Sequence, residues 1–348
     1  MKPRIAFFDT KPYDRDFFTK QNEKYQYEIK FFPSRLTIDT VSLTKGFDVV
    51  CIFVNDILTA EIIDILHQNE VRLIALRSAG YNHVDLKSVY NKIHVVRVPA
   101  YSPYAVAEHA VTLMLTLNRK THKAYYRTRD NNFTIHGLLG FDMHSKTAGV
   151  IGTGLIGRKV ADILKGFGMN ILAYDLFPDQ EYASQTKIHY VDLDTLYRES
   201  DIITLHCPLT PENVYMINSD SIRKMKQGVM IINTGRGKLI NTVDLIEGLK
   251  SHKIGSAGLD VYEEETEYFF EDWSGSVVDD DVLARLTTFP NVLITSHQAF
   301  FTGEALTNIA HTTLENIRLF FEEDQLPNEV CYKCTDGDCP RKKSGKCF

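Results

Sequence analysis

Val150-Ile151-Gly152-Thr153-Gly154-Leu155-Ile156-Gly157 decides the fold. An apolar run over 147–151 enters a G-x-G-x-x-G turn, and a helical pattern over 155–167 leaves it. Each glycine answers a separate demand. Gly152 allows the tight turn, Gly154 lets backbone approach a pyrophosphate, and Gly157 lets helix and strand pack closely. A pyrophosphate at Leu155 and Ile156 would sit at the positive end of the helix dipole. The next strand, 170–174, runs into Asp175, 18 residues after Gly157 and near the spacing of about 20 at which a carboxylate meets the ribose hydroxyls. Such a carboxylate repels a 2′-phosphate, and Leu176-Phe177 supplies no arginine to hold one, so the expected cofactor is NAD, not NADP.

The same rhythm extends in both directions. Downstream, strands are expected at 201–205, 229–233, 256–260 and 292–295, with helices between most of them. Upstream, apolar runs at 4–8, 48–54, 72–77 and 93–98 alternate with helical patterns such as 59–68. Alternation of this kind predicts parallel sheets covered by helices on both faces. Pro103 opens a long apolar helix over 104–117 that joins the two halves. The segment 263–281 breaks the rhythm with nine acidic residues and the sole tryptophan, Trp273, and reads as a long surface loop. A last helix over 303–323 is expected to return to the first half.

A length of 348 residues suggests two domains. The chain is 44% hydrophobic and 24% charged, as in water-exposed globular proteins, and its net charge of −6 argues against nucleic-acid or anionic-membrane partners. No apolar run approaches the roughly 18 residues of a membrane span, which makes the cytoplasm the expected location.

Hydride transfer to a keto acid needs a cation for the carboxylate, an acid for the carbonyl oxygen, and a group that tunes the acid. Asn233-Thr234-Gly235-Arg236-Gly237 follows a strand and places Arg236 at a carboxyl-end loop, where such sheets bind ligands. Arginine can grip a carboxylate with two parallel bonds. His206 and His297 both follow strands, and the acidic run Glu263-Glu264-Glu265 follows another. A neighbouring carboxylate would favour the imidazolium, which makes His297 a candidate proton donor. These considerations alone do not choose among the three glutamates.

Arg77-Ser78-Ala79-Gly80-Tyr81-Asn82, Tyr101-Ser102-Pro103, the glycine turn, His206-Cys207-Pro208-Leu209-Thr210, Asn233–Gly237, the 259–265 run and Ser296-His297-Gln298-Ala299-Phe300-Phe301-Thr302 together resemble the D-2-hydroxyacid dehydrogenase family over nearly the whole chain to about Asn328. The resemblance implies a Rossmann NAD-binding domain (101–298) inserted into a flavodoxin-like substrate domain (1–100 and 299–330), with 331–348 as a separate cysteine-rich tail. It implies that Arg236 binds the substrate carboxylate, that His297 is the general acid or base, and that Glu265 raises its pKa. Cys207, Pro208, Asn213, Thr234 and Gly235 would line the cofactor, and Asp260 would stand on its nicotinamide side and modulate the pKa of the acid. The amides of Ser78, Ala79 and Gly80 would meet the carboxylate, and Tyr101 and Phe300, with Phe301, would border a small side chain such as the methyl of pyruvate. Within the family the runs 269–275 and 297–306 are most similar to D-lactate-forming members. The family usually pairs through its cofactor domain, so a homodimer or higher homo-oligomer is expected, with the helix after Pro103 as an interface element. An NAD-sensing interaction protein is the alternative from another class.

The tail departs from this pattern. Cys331, Cys334, Cys339 and Cys347 could hold zinc or an iron–sulfur cluster, but their spacing matches neither common arrangement, and the expectation is a tail of thiols without metal.

Overall fold

The computed structural model describes residues 2–264, 268–334, 339–340 and 345–348. Its contacts divide the chain into two units: residues up to Ser102 with Phe301–Phe348, and Pro103–Phe300. In the first unit, β1 (Arg4–Phe7), α1 (Pro12–Asn22), β2 (Glu28–Phe31), β3 (Val49–Ile52), α2 (Ala60–Gln68), β4 (Leu73–Leu76), α3 (Leu86–Val89) and β5 (His94–Val96) follow in order. The strands form one parallel sheet in the order β2-β1-β3-β4-β5. The central strands VVCI and LIAL are buried at every position, as a sheet with helices on both faces demands.

The second unit contains α4 (Pro103–Arg119), α5 (Thr121–Arg129), β6 (Thr147–Ile151), α6 (Leu155–Gly166), β7 (Asn170–Tyr174), α7 (Gln180–Thr186), β8 (His189–Tyr190), α8 (Leu193–Glu199), β9 (Ile202–Leu205), α9 (Ser219–Lys224), β10 (Val229–Asn233), α10 (Thr242–Lys250), β11 (Ile254–Leu259), α11 (Asp281–Thr287) and β12 (Val292–Ile294). Its parallel sheet runs β12-β11-β10-β9-β6-β7-β8. The chain order reverses between β6 and β9, the switch point at whose carboxyl end ligands bind. Both sheets have the expected doubly wound architecture. The helix α4 belongs to this unit. Its Ala107, Ala110 and Met114 pack with Ala148 and Val150 of β6, and Lys120 ends it in the left-handed region (φ 51°).

Two strands were not expected from the sequence. β2 and β8 are short outer strands without an apolar run to announce them. The loop after β11 is less superficial than its acidity suggests. Phe269 is buried against Tyr262 and Leu283, and the Tyr262 hydroxyl donates to Asp280 at 2.7 Å.

The helix α12 (Gly303–Glu323) packs on α1 and β4 of the first unit. Beyond it the chain runs antiparallel to β5: Arg97 N donates to Asn328 O (3.1 Å) and Val330 N to Val95 O (2.9 Å). The tail is part of this unit and not a separate segment, because buried Cys331, Cys339 and Cys347 pack with Tyr90 and Phe348. No helix among the described residues is long and apolar enough to cross a membrane.

Candidate active site

The glycine turn of the second unit divides its work as the motif requires. Gly152 has φ +91°, and a Cβ there would lie 2.6 Å from the amide nitrogen of Cys207 at the end of β9. A Cβ on Gly157 would collide with the Gly152 carbonyl. Gly154 faces open space within 4 Å and is the position free to admit a phosphate. It is also the N-cap of α6 and offers no side-chain cap, so the helix keeps its first-turn amides for a ligand. Leu155 is exposed and Ile156 half-buried beside it.

Asp175 braces this turn. One carboxylate oxygen accepts from Thr153 N (2.7 Å) and Thr153 Oγ1 (3.0 Å), the other from Phe177 N (2.9 Å). Burial alone would push its pKa up. The amides of Phe177 and Thr153, the Thr153 hydroxyl and the Arg158 charge outweigh that and hold it below the usual carboxylate range. On the other side of the switch point, Asn213 Nδ2 donates to Pro208 O at 2.7 Å and lies 3.8 Å from Cys207 Sγ, whose thiol burial pushes up to about 11. Thr234 is buried with a hydroxyl that has no partner among the described residues. An open glycine, a braced carboxylate and an orphaned hydroxyl around one switch point fit an NAD molecule.

Arg236 stands on a loop stapled by Asn233, whose Oδ1 accepts from Gly235 N (3.0 Å) and whose Nδ2 donates to Arg236 O (2.9 Å). The two flanking glycines differ. A Cβ on Gly237 would collide with the Tyr262 carbonyl, whereas one on Gly235 would make ordinary contacts at 3.5 Å. The guanidinium donates to Gly235 O at 2.8 Å and has no ion pair among the described residues, which leaves it available to an anion.

His297 has a left-handed backbone (φ 51°), and its N–H donates to Asp260 O at 2.7 Å. The Asp260 side chain is fully enclosed. Its carboxylate accepts from the Thr295 hydroxyl, from Gln298 N (2.9 Å) and from Ala299 N (2.9 Å). Asp260, expected on the nicotinamide side, has no exposed surface, and its carboxylate is bound to the loop that carries His297 and clamps that loop. His109 on α4 completes the clamp, with Nε2 3.1 Å from Thr295 Oγ1 and 3.4 Å from the Asp260 carboxylate. The Phe270 ring lies 6.1 Å from the His297 ring. No spacing in the sequence marked His109 or Phe270. The rival His206 is bonded to Thr204 Oγ1 at 2.8 Å, and desolvation lowers its pKa to about 3, so it stays neutral and is no proton donor near pH 7.

Two of the three candidate glutamates are engaged elsewhere. Glu263 accepts from Thr242 N at 2.7 Å at the start of α10, and exposed Glu264 faces Lys238 at 3.8 Å. Glu265 lies outside the described residues.

In the first unit, Ser78, Ala79 and Gly80 follow β4. Their carbonyls are used, since Val98 N, Arg97 Nη1 and Ser78 Oγ donate to them in turn. Their amides donate to nothing among the described residues and can bind an anion. Arg77 beneath them is buried against Asp14 (3.3 Å) and donates to Asp9 O (2.7 Å). The Tyr101 carbonyl accepts from Asn308 (2.7 Å), and Phe301 is half exposed with its ring edge on Tyr13. Phe300, at the end of the second unit, is buried. The four tail cysteines gather in a separate cluster of the first unit.

Residues 111–299 match the family described as D-isomer specific 2-hydroxyacid dehydrogenase, NAD binding domain. D-lactate dehydrogenase of Escherichia coli is 51% identical over 328 residues, 94% of this chain and 99% of that one. A 2-hydroxyacid dehydrogenase homolog of Haemophilus influenzae is 54% identical over 318 residues, 90% of this chain and 95% of its own. Among solved structures, the pyruvate reductase of Chlamydomonas reinhardtii superposes with a TM-score of 0.90 at 43% identity, covering 94% of this chain and 98% of that one. The chain belongs to the D-isomer specific 2-hydroxyacid dehydrogenases and carries their NAD binding domain.

Proposed function

We propose that this protein is a D-lactate dehydrogenase, reducing pyruvate to D-lactate with NADH and running reversibly. The observation that carries this reading is the 51% identity to the Escherichia coli D-lactate dehydrogenase across nearly the full length of both chains. The Gly152–Gly157 turn, Asp175 and Thr234 would hold NADH, which would supply the hydride for C2. The remaining work falls to side chains. The guanidinium of Arg236 holds the substrate carboxylate by two parallel bonds and so fixes the orientation of the carbonyl. His297, clamped by Asp260, donates its ring proton to the carbonyl oxygen as the C=O electron pair moves onto that oxygen. In the oxidative direction it takes the proton back. Glu265 is the carboxylate we assign to favour the imidazolium.

Pairing of two copies through the second unit is part of the same proposal. Residues 125–141 leave Tyr125, Tyr126, Phe133, Ile135, Leu139 and Phe141 exposed, an apolar stretch of the sort that marks an interface. Light scattering at micromolar concentration tests it, and a monomer would overturn it.

The deciding experiment follows NADH oxidation with pyruvate, 2-ketoisocaproate and phenylpyruvate, with chiral assay of the product. Pyruvate is expected to have the highest kcat/KM and to yield the D-isomer, while an added methylene changes selectivity by about 1–3 kcal/mol. Preference for a larger keto acid would overturn pyruvate as substrate. No oxidation with any of them would favour an NAD-sensing interaction protein.

A further inference from the structure

Four cysteines of the tail meet at one point. The sulfur–sulfur distances are 3.7 Å for Cys331–Cys334, 3.6 Å for Cys331–Cys339, 3.6 Å for Cys334–Cys339, 3.7 Å for Cys334–Cys347 and 3.5 Å for Cys339–Cys347. All four sulfurs lie within 4.8 Å of one another. Five of the six separations are nearly equal and the sixth, Cys331–Cys347, is at most 4.8 Å, which makes the four sulfurs a distorted tetrahedron. Around a zinc ion with Zn–S bonds of about 2.3 Å, tetrahedral geometry sets neighbouring sulfurs about 3.8 Å apart. A disulfide needs about 2.05 Å. An iron–sulfur cube would sit between its cysteines and hold them much farther apart. We propose that Cys331, Cys334, Cys339 and Cys347 bind a single zinc ion as a tetrathiolate site that fastens the C-terminal segment to the edge of the first sheet.

The surroundings are those of a metal site. Cys331 N donates to Cys334 Sγ at 3.4 Å and Cys334 N to Cys331 O at 3.1 Å, a tight knuckle that turns two sulfurs toward one centre. Bonds from backbone N–H to sulfur offset thiolate charge. The fourth ligand is positioned from outside the cluster. Buried Glu329 accepts from Cys347 N through one oxygen and meets His94 Nδ1 at 2.5 Å through the other. The Phe348 ring then stacks on His94 at 4.3 Å, and Tyr90 packs edge-on against Tyr332 and Phe348. Cys331, Cys339 and Cys347 are buried, so bulk water is kept from the sulfurs. Four thiolates around a divalent ion leave a net charge of −2. The tail sequence carries five basic residues against two acidic ones, an excess opposite in sign to that charge. The aligned relative from Escherichia coli covers 328 of the 348 residues here, so its likeness does not extend to the entire chain.

The test is metal analysis of the full untagged chain, purified under reducing conditions without chelator. About one zinc per chain is expected, released as four thiols react with a mercurial. Cys334→Ser and Cys339→Ser are each expected to lower zinc content at least about tenfold, while Cys51→Ala, a control in β3, retains it. Should the serine variants fail to fold, replacing zinc by Co²⁺ in the native chain supplies a second readout, the intense visible absorption of tetrahedral cobalt thiolate. Metal-free protein with all thiols titrating, disulfides among these four residues by mass spectrometry, or iron with acid-labile sulfide would each overturn the proposal.

Discussion

Replacing Asp260 by asparagine tests how His297 is held. The enclosed carboxylate receives three donors, Thr295 Oγ1 and Gln298 N on one oxygen and Ala299 N on the other. An amide has one acceptor oxygen. If that oxygen faces Thr295 and Gln298, the NH2 group meets the Ala299 N–H donor to donor. A hydrogen bond to a charged group is worth about 1.5–3 kcal/mol, and a buried unsatisfied donor costs about 1–3 kcal/mol, so the mismatch totals roughly 3–5 kcal/mol. All three donors belong to residues 295–299, so releasing that loop relieves the mismatch. The loss then appears in chemistry: at about 1.36 kcal/mol per tenfold, kcat for pyruvate reduction falls roughly 10²–10⁴-fold. If the loop stays in place, the same energy lowers the thermal midpoint of the unit by roughly 6–15 °C. NADH affinity, read by fluorescence titration, is expected to stay within about threefold, because the carboxylate is enclosed behind the loop. The double variant with His297→Gln should be little worse than His297→Gln alone, since both act through one group. Wild-type kcat and midpoint in Asp260→Asn, or a loss confined to NADH binding, would refute the clamp.

Further outcomes follow from other residues. His297→Gln is expected to lower kcat by about 10²–10⁴-fold with NADH binding retained, measured by steady-state kinetics and titration. Asp175→Ala should narrow the NADH/NADPH preference in kcat/KM and weaken NADH binding, because the same carboxylate excludes a 2′-phosphate and braces Thr153. Gly157→Ala places a methyl on the Gly152 carbonyl and should prevent the second unit from folding, seen as loss of soluble protein or of its cooperative unfolding transition. His206 is held neutral in the fold, its pKa lowered from 6.5 to about 3. Its contribution to stability is fully present above about pH 6.5 and is lost as pH falls toward 3, about 2 kcal/mol by pH 5. Urea unfolding at pH 7 and pH 5 should show this slope in the native chain, and His206→Gln should flatten it.

Much of this architecture is legible locally. Gly152, Gly154 and Gly157 announce the switch point because each meets a short-range demand, a positive φ, an open face or a close packing, that one residue type satisfies. Arg236 and His297 are legible from their places after apolar strands. What escapes is set by tertiary contacts. Nothing in the stretch 256–260 says that the Asp260 carboxylate turns inward to amides nearly forty residues further along. His109 looks like any polar position on an apolar helix until Thr295 reaches it. β2 and β8 lack an apolar signal because they lie at sheet edges and expose part of each strand. The tail cysteines fit no familiar spacing because the fold, through Glu329 and the β5 edge, brings Cys347 to the other three.

The short pairing of Asn328–Val330 with β5 bears on how this protein avoids its own kind. A bare outer strand is a template onto which a strand from another molecule can add, the first step toward aggregation. On the β5 side that template is occupied by the protein's own chain, which takes up the Val95 carbonyl and the Arg97 amide. At the opposite edge the defence differs: β2 exposes Glu28 and Lys30, charges that an incoming strand would have to desolvate. The sheet is guarded sterically at one border and electrostatically at the other.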